Sequence, residues 1–266
     1  MLKIGSESGN SFIQQAQEKQ ESLFEKLSSG KKVNNAADDA AALQIIDRLT
    51  SEVEGSRQAI SNVYDGISLA QVAEGGLGSI NSDVDRIREL TLQSGSGALT
   101  DIDRSAIQDE ISQLQSNITS TIEQTNFAGK PLLAQDGALS IQAGSGAVQT
   151  IDVETQDIAA KIGDVLSIDL TAGTSVEDAL NAADAAIETI GGARGGLGAT
   201  LNRFESVAQN LTQANVSAAQ SRSRMQDLDF AQASSERAAN DVRGQASIAM
   251  QAQANQQQGQ VLALLS

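Results

Sequence analysis

The sequence predicts a mainly α fold: long antiparallel coiled-coil helices from both chain ends, with a small β-hairpin insert between them. Three observations carry that prediction. Ala183, Ile190, Leu197, Phe204, Leu211, Ala218 and Met225 stand seven apart, and Leu180, Ile187, Arg194, Leu201, Ala208, Asn215 and Arg222 repeat at the same interval, offset by four. Such a double series is the seam of a coiled coil. Aromatic residues make up only 2% of the chain and Pro131 is its single proline, so the core relies on small aliphatic side chains and long runs lack a helix breaker. Residues 129–175 alone abandon the helical spacing.

Over residues 12–28, Ile13, Ala16, Leu23, Phe24 and Leu27 fall on one face of a 3.6-residue helix. A second, longer helix is marked by Ile46, Leu49, Val53, Ile60, Val63, Ile67, Ala70, Leu77 and Val84. A third carries Ile107, Ile111, Leu114, Ile118 and Ile122, with Asp101 or Asp103 as its expected N-cap. In "ALSIQAGSGAVQTIDVE" two alternating runs flank Gly144-Ser145-Gly146, the signature of a hairpin, and "VLSIDL" at 165–170 fits one more strand. The heptad series forms the fourth helix. Arg194, Asn215 and Arg222 interrupt its seam and are expected to fix register at some cost in stability. "GGARGGLG" at 191–198 lacks the Lys-Ser/Thr of a phosphate loop and follows no strand, so its glycines predict close helix–helix approach.

No charged residue follows Arg243, although the chain has a net charge of −16. Projected as a helix, Met250, Ala254, Val261, Leu264 and Leu265 occupy about a 100° arc, while Ile248 and Leu262 point to nearly the opposite side. Such a helix needs more than one neighbour. Its apolar content is too small to offset the backbone entropy of ordering it alone. Both ends are therefore expected to gain order by packing with copies of the chain.

The acidity argues against nucleic acid as a partner, and no apolar run is long enough for membrane insertion. "MLKIGSESGN" lacks the apolar core of an ordinary signal peptide. With no histidine and no cysteine, the usual general base, serine-hydrolase triad and zinc sites are absent. No cofactor or metal site is expected, and the carboxylates read as solvated helix faces.

The run "LSSGKKVNNAADDAAALQIIDRLTSEVEGSRQAISNVYDGISLAQVAEGGL" (27–77) closely resembles the N-terminal signature of bacterial flagellin. "RIRELTLQS" (86–94), "IQDEI" (107–111) and "QTNFAGKPLL" (124–133) resemble it too. "RGGLGATLNRFESVAQNL" (194–211), "SRSRMQDLDFAQASSERA" (221–238) and the tail "MQAQANQQQGQVLALLS" resemble the C-terminal half. The first 25 residues depart from the Asn- and Ala-rich start usual in that family.

The resemblance implies a non-enzymatic structural subunit that self-assembles into the extracellular filament of the bacterial flagellum. It implies an inner coiled-coil domain from residues 1–32 and 233–266, a connector at 33–43, and an outer tube domain at 44–232 with its β-hairpin near 129–175. This is a minimal form without large outer domains. The implied assembly interface comprises Ile13, Leu23, Leu27, Ile248, Met250, Ala254, Val261, Leu262, Leu264 and Leu265. The implied connector residues are Asn34, Asn35, Asp38 and Asp39. Arg86, Leu90 and Glu110 resemble the family's surface for toll-like receptor five of animal hosts. Hook-associated junction and cap proteins, an export chaperone and the type III export route are further implied. Two alternatives stand beside this reading: a hook–filament junction protein, and a secreted coiled-coil signalling or adhesion protein that forms no filament.

Overall fold

The computed structural model describes residues 4–146 and 148–265, with side chains between 14 and 260 except 147, 255, 258 and 259. The chain divides into two compact units, one ending at Val53 and resuming at Val216, the other running from Glu54 to Asn215. The elements are α1 (Ile4–Ser29), α2 (Ala36–Ser94), α3 (Asp101–Gln124), β1 (Asn126–Phe127), β2 (Lys130–Pro131), β3 (Gly137–Gln142) and β4 (Thr150–Thr155). They continue with α4 (Ile158–Lys161), α5 (Gly163–Leu166), α6 (Val176–Gln226) and α7 (Phe230–Leu265). The mainly α expectation holds, as does the hairpin: β3 and β4 pair antiparallel from Gly137↔Thr155 to Gln142↔Thr150.

The core of the 54–215 unit combines one stripe from each of α2, α3 and α6. Val63, Ala70, Leu77 and Val84 of the predicted series are buried, joined by Ile80, Ile87 and Leu90 on the same helix. Ile107, Ile111, Ile118 and Ile122 are buried from α3, and Ala183, Ile190, Leu197 and Phe204 from α6. Of the two heptad series, the one through Phe204 is thus the inward one. Arg194 of the other series lies at the margin, with Nη2 3.7 Å from Glu74 Oε1 and its side chain 42% exposed. It decorates the seam and does not interrupt it. Across the same helix pair Arg88 Nε donates to Asp184 Oδ1 at 2.6 Å.

Close helix approach occurs away from the predicted glycines. Methyl groups added at Gly191, Gly192, Gly195, Gly196 or Gly198 would meet nothing within 4 Å, whereas one at Gly66 would stand 2.6 Å from Phe204 Cζ. Gly66 is the notch that seats the large, fully buried Phe204 ring.

The cap of α3 also differs from expectation. Thr100 is the N-cap: its Oγ1 accepts from Asp103 N at 3.3 Å, while Asp103 Oδ2 accepts from Thr100 N at 2.9 Å. This reciprocal capping box makes Asp103 its third-position partner. After α3, Ala128 (φ 51°) and Gly129 (φ 79°) make the tight turn that joins β1 to β2.

The strand predicted at 165–170 is not formed. Residues 163–166 make the single turn α5, and the following backbone is held by side chains of α3. Gln108 Nε2 donates to Ile168 O at 3.1 Å, and Gln108 Oε1 accepts from Leu170 N at 2.8 Å. Gln115 Nε2 donates to Val165 O at 2.9 Å and Ile168 O at 3.1 Å. A side-chain amide has the donor and acceptor of a peptide group, so Gln108 supplies what a neighbouring strand would have supplied. The alternating apolar residues Leu166, Ile168 and Leu170 are nonetheless buried or half-buried against the core.

In the other unit α1 and α7 lie antiparallel: Gln20 Nε2 donates to Asp241 Oδ1 at 2.7 Å, and the Arg237 guanidinium stands 5.7 Å from the Phe24 ring centroid. Both helices are formed in the single chain, unlike the expectation of ends ordered only by copies. Two links, 30–35 and 227–229, pair with each other beneath them. Lys32 N donates to Gln226 O at 2.6 Å and Leu228 N to Gly30 O at 3.0 Å. Gly30 meets this geometry at φ 69°, a conformation open to glycine.

The connector residues form one hydrogen-bonded knot. Asp38 Oδ2 accepts from Asn34 N at 3.0 Å and Asn35 N at 3.2 Å. Asn34 Nδ2 and Asn35 Nδ2 donate to Glu25 Oε1 at 3.2 and 3.5 Å. Asn35 Oδ1 caps Ala37 N at 3.1 Å. Asp39 is extended (φ −166°, ψ 101°) and kinks the start of α2, while its Oδ1 caps the next turn at Ala42 N, 2.9 Å away. Lys26 Nζ lies 3.4 Å from Asp38 Oδ1, whose side chain is 18% exposed. The Asn34 amide, with Asn35 and Lys26, holds the Asp38 carboxyl below its ordinary value, against an opposing effect of burial.

Two outcomes follow. Gln108→Leu leaves the Leu170 amide without its acceptor and is expected to cost about 1–3 kcal/mol, read by denaturant unfolding, with faster hydrogen exchange at 168–172. For Asp38, the lowered folded pKa means its stabilisation is complete above the ordinary carboxyl value of about 3.9 and is lost as pH falls through the depressed value. Asp38→Asn is therefore expected to remove part of the acid-side loss of helicity, followed by circular dichroism from pH 6 down to pH 2; an unchanged acid limb contradicts the assignment.

Candidate assembly surfaces

Among the described residues, the α1–α7 pair leaves several apolar side chains open. Leu23 and Leu27 are half-buried, whereas Phe24 is 60% exposed. On α7, Ile248 and Met250 are 58% and 74% exposed, and Ala254 is also exposed. Ile248 lines a groove with Ala16, Gln17 and Gln20 of α1. The side chains of Ile13, Val261, Leu262, Leu264 and Leu265 lie outside the described residues. Buried apolar residues in this unit sit nearer the links: Val33, Ile46, Val53, Ala218 and Ala233.

Sequence spacing passed over two exposed apolar residues of α7, Phe230 (55%) and Val242 (66%). Both stand among charged neighbours in the N-terminal part of α7, whereas the projection began at the charge-free tail. The Phe24–Arg237 contact was likewise illegible, because no periodicity relates residues from opposite chain ends.

Arg86 and Glu110 meet across α2 and α3. Arg86 Nε and Nη2 donate to Glu110 Oε1 at 3.0 and 2.8 Å, and Nη1 donates to Glu89 Oε2 at 2.9 Å. Glu110 and Glu89 raise the Arg86 pKa, so the guanidinium stays charged. Leu90, which the resemblance named together with Arg86, is only 2% exposed and belongs to the core. The four-residue spacing places the two one turn apart, but the helix face rolls from solvent to core between them.

Among the described residues no group of acids is arranged to hold a metal ion, and no helix is long and apolar enough to cross a membrane. What the surface offers is apolar helix faces and surface ion pairs.

A family model of the bacterial flagellin N-terminal helical region matches residues 6–138, and one of the bacterial flagellin C-terminal helical region matches residues 180–265. The flagellin of Halalkalibacterium halodurans is 37% identical over 245 residues, covering 91% of this chain and 90% of the relative. That of Bacillus subtilis is 36% identical over 277 aligned residues, 91% of each. The crystal structure of Bacillus cereus flagellin superposes with a TM-score of 0.51 at 25% identity, over 57% of this chain and 88% of that one. A putative flagellar hook-associated protein from Vibrio parahaemolyticus shares the fold, with a TM-score of 0.61 at 18% identity, over 71% of this chain and all of that one. Both helical regions are matched in order and the likeness spans nearly the whole chain: it belongs to the bacterial flagellin family, as an extracellular structural subunit of the flagellar filament.

Proposed function

We propose that the α1–α7 pair is the innermost assembly element of the subunit, with residues 1–32 and 233–266 as the inner domain, 33–43 as connector and 44–232 as the outer domain. The observation that carries this reading is the exposed apolar surface of the pair: Phe24, Phe230, Val242, Ile248 and Met250 are each more than half open to solvent. Surface of that kind is stabilised by a neighbour, and an uncharged tail lets identical tails crowd together without like-charge repulsion. Leu23 and Leu27, Ile248, Met250 and Ala254, with Ile13, Val261, Leu262, Leu264 and Leu265, are the proposed contacts. The role is structural and not catalytic, a reading supported by a sequence free of histidine and cysteine.

Hook-associated junction and cap proteins and an export chaperone are proposed as further partners, in keeping with the family. Toll-like receptor five is proposed to recognise the outer face at Arg86 and Glu110. The charged, solvent-open pair is the accessible part of that face, and Leu90 supports it from beneath.

Deleting residues 246–266 is expected to abolish filaments in electron micrographs while the helical signal of the 54–215 unit persists; filaments that survive the deletion overturn the assembly mechanism. For the receptor, Arg86→Ala in the folded monomer is expected to weaken reporter signalling about tenfold. Leu90→Met, which nearly conserves core volume, is expected to leave it close to normal. Unchanged signalling by the Arg86 variant rejects the assignment.

A further inference from the structure

We propose that a cleft between α6 and the β3–β4 hairpin binds a short apolar peptide with free termini, its body on an aliphatic floor and its two charged ends on opposite rims. The cleft lies wholly within the 54–215 unit, and the proposal is independent of the assembly contacts above.

The cleft has a volume of about 380 Å³ and is floored by Leu77 of α2, Leu132 and Leu133 after β2, Ile158 of α4 and Leu197 of α6. All five are buried, so the floor is held by the packing of the core. The volume falls within the range of small-molecule sites, roughly 300–1,000 Å³. Its openness comes from the sequence of α6. Gly196 lines the cleft, and a methyl group added there would meet nothing within 4 Å. The glycine run that brings no helices together thus withholds a side chain from a groove that a larger residue at 196 would begin to fill.

The rims carry unlike charges. Asp152 and Glu154, two apart on β4, line one side, and Arg203 of α6 lines the other. Glu154 and Arg203 are exposed, and among the described residues neither makes a hydrogen bond or an ion pair. Both charged groups are therefore available to a ligand. A guanidinium takes a carboxylate terminus through two parallel N–H donors, and the carboxylates of β4 suit an ammonium terminus. A plain anion would meet the acids and a plain cation would meet Arg203, so the arrangement disfavours both. A peptide of two or three residues extends about 7–11 Å and carries opposite charges at its two ends, as the rims do. Aliphatic side chains match the floor between them.

Equilibrium dialysis of the full-length monomer against labelled Leu-Leu dipeptide is expected to show saturable binding at one site, with a Kd of about 1 mM or tighter. N-acetylation or C-terminal amidation of the dipeptide is expected to weaken binding about tenfold or more. Arg203→Gln, and Asp152→Asn combined with Glu154→Gln, are expected to do the same. Gly196→Leu puts a side chain into the open part of the cleft, on a helix that leucine favours over glycine. It is expected to abolish binding with helicity and thermal unfolding retained. Absence of saturation up to ~10 mM dipeptide overturns the site, as does a Gly196→Leu variant that binds as well as the unmodified chain. Either result leaves membership of the flagellin family and filament assembly standing.

Discussion

The structure depends on one small backbone pairing between links that are far apart in sequence. Gly30 and Lys32 exchange hydrogen bonds with Leu228 and Gln226, so the segments that leave α1 and enter α7 are joined directly. Each link must reverse or redirect a helix, and each therefore exposes peptide groups that need partners. Pairing the links satisfies them mutually. Asp38 then fixes one side of the pairing by gathering the Asn34 and Asn35 amides and the Lys26 ammonium. Several residues poor in helix interiors, Gly30, Asn34, Asn35, Asp38 and Asp39, are concentrated here for that reason.

Beyond the links, stability comes from two different sources. In the 54–215 unit three helices share a core of Ile, Leu, Val and Ala around the fully buried ring of Phe204. Small side chains bring helix axes close, and the notch at Gly66 admits the one bulky group. Ion pairs such as Arg88–Asp184 and Arg194–Glu74 lie along the margins, where solvent leaves each worth little; they hold register more than they add stability. Among the described residues of the chain-end unit, Val33, Ile46, Val53, Ala218 and Ala233 are buried, while Phe24, Phe230, Val242, Ile248 and Met250 remain open.

Legibility followed the range of the interaction. The heptad through Phe204 was readable because burial repeats with helical period, and the β3–β4 hairpin because both strands alternate around Gly-Ser-Gly. The residues of the connector were legible through the resemblance, but not their joint hold on Glu25 and Lys26, which lie a turn or more away across a reversal of the chain. The strand expected at 165–170 failed because alternation reports which side chains are buried, not what bonds the backbone. There the partner is Gln108, an amide on a helix, and no periodicity announces it. The burial of Leu90 shows a related limit: a four-residue interval gives a rough heading on a helix, and a heading near the edge of the buried stripe falls to either side. The open glycines of 191–198 show the same limit, since a small residue permits a close approach without calling for one.

The uncharged side chains beyond Arg243 bear on what the growing filament exchanges with its surroundings. Between Arg243 and the end of the described chain no side chain binds or releases a proton in the ordinary pH range, and none holds a counterion. Contacts made through that segment are therefore thermodynamically unlinked to acidity and to ionic strength, whatever their affinity. Sensitivity to the medium enters elsewhere, through the charged side chains, all of which lie at or before Arg243.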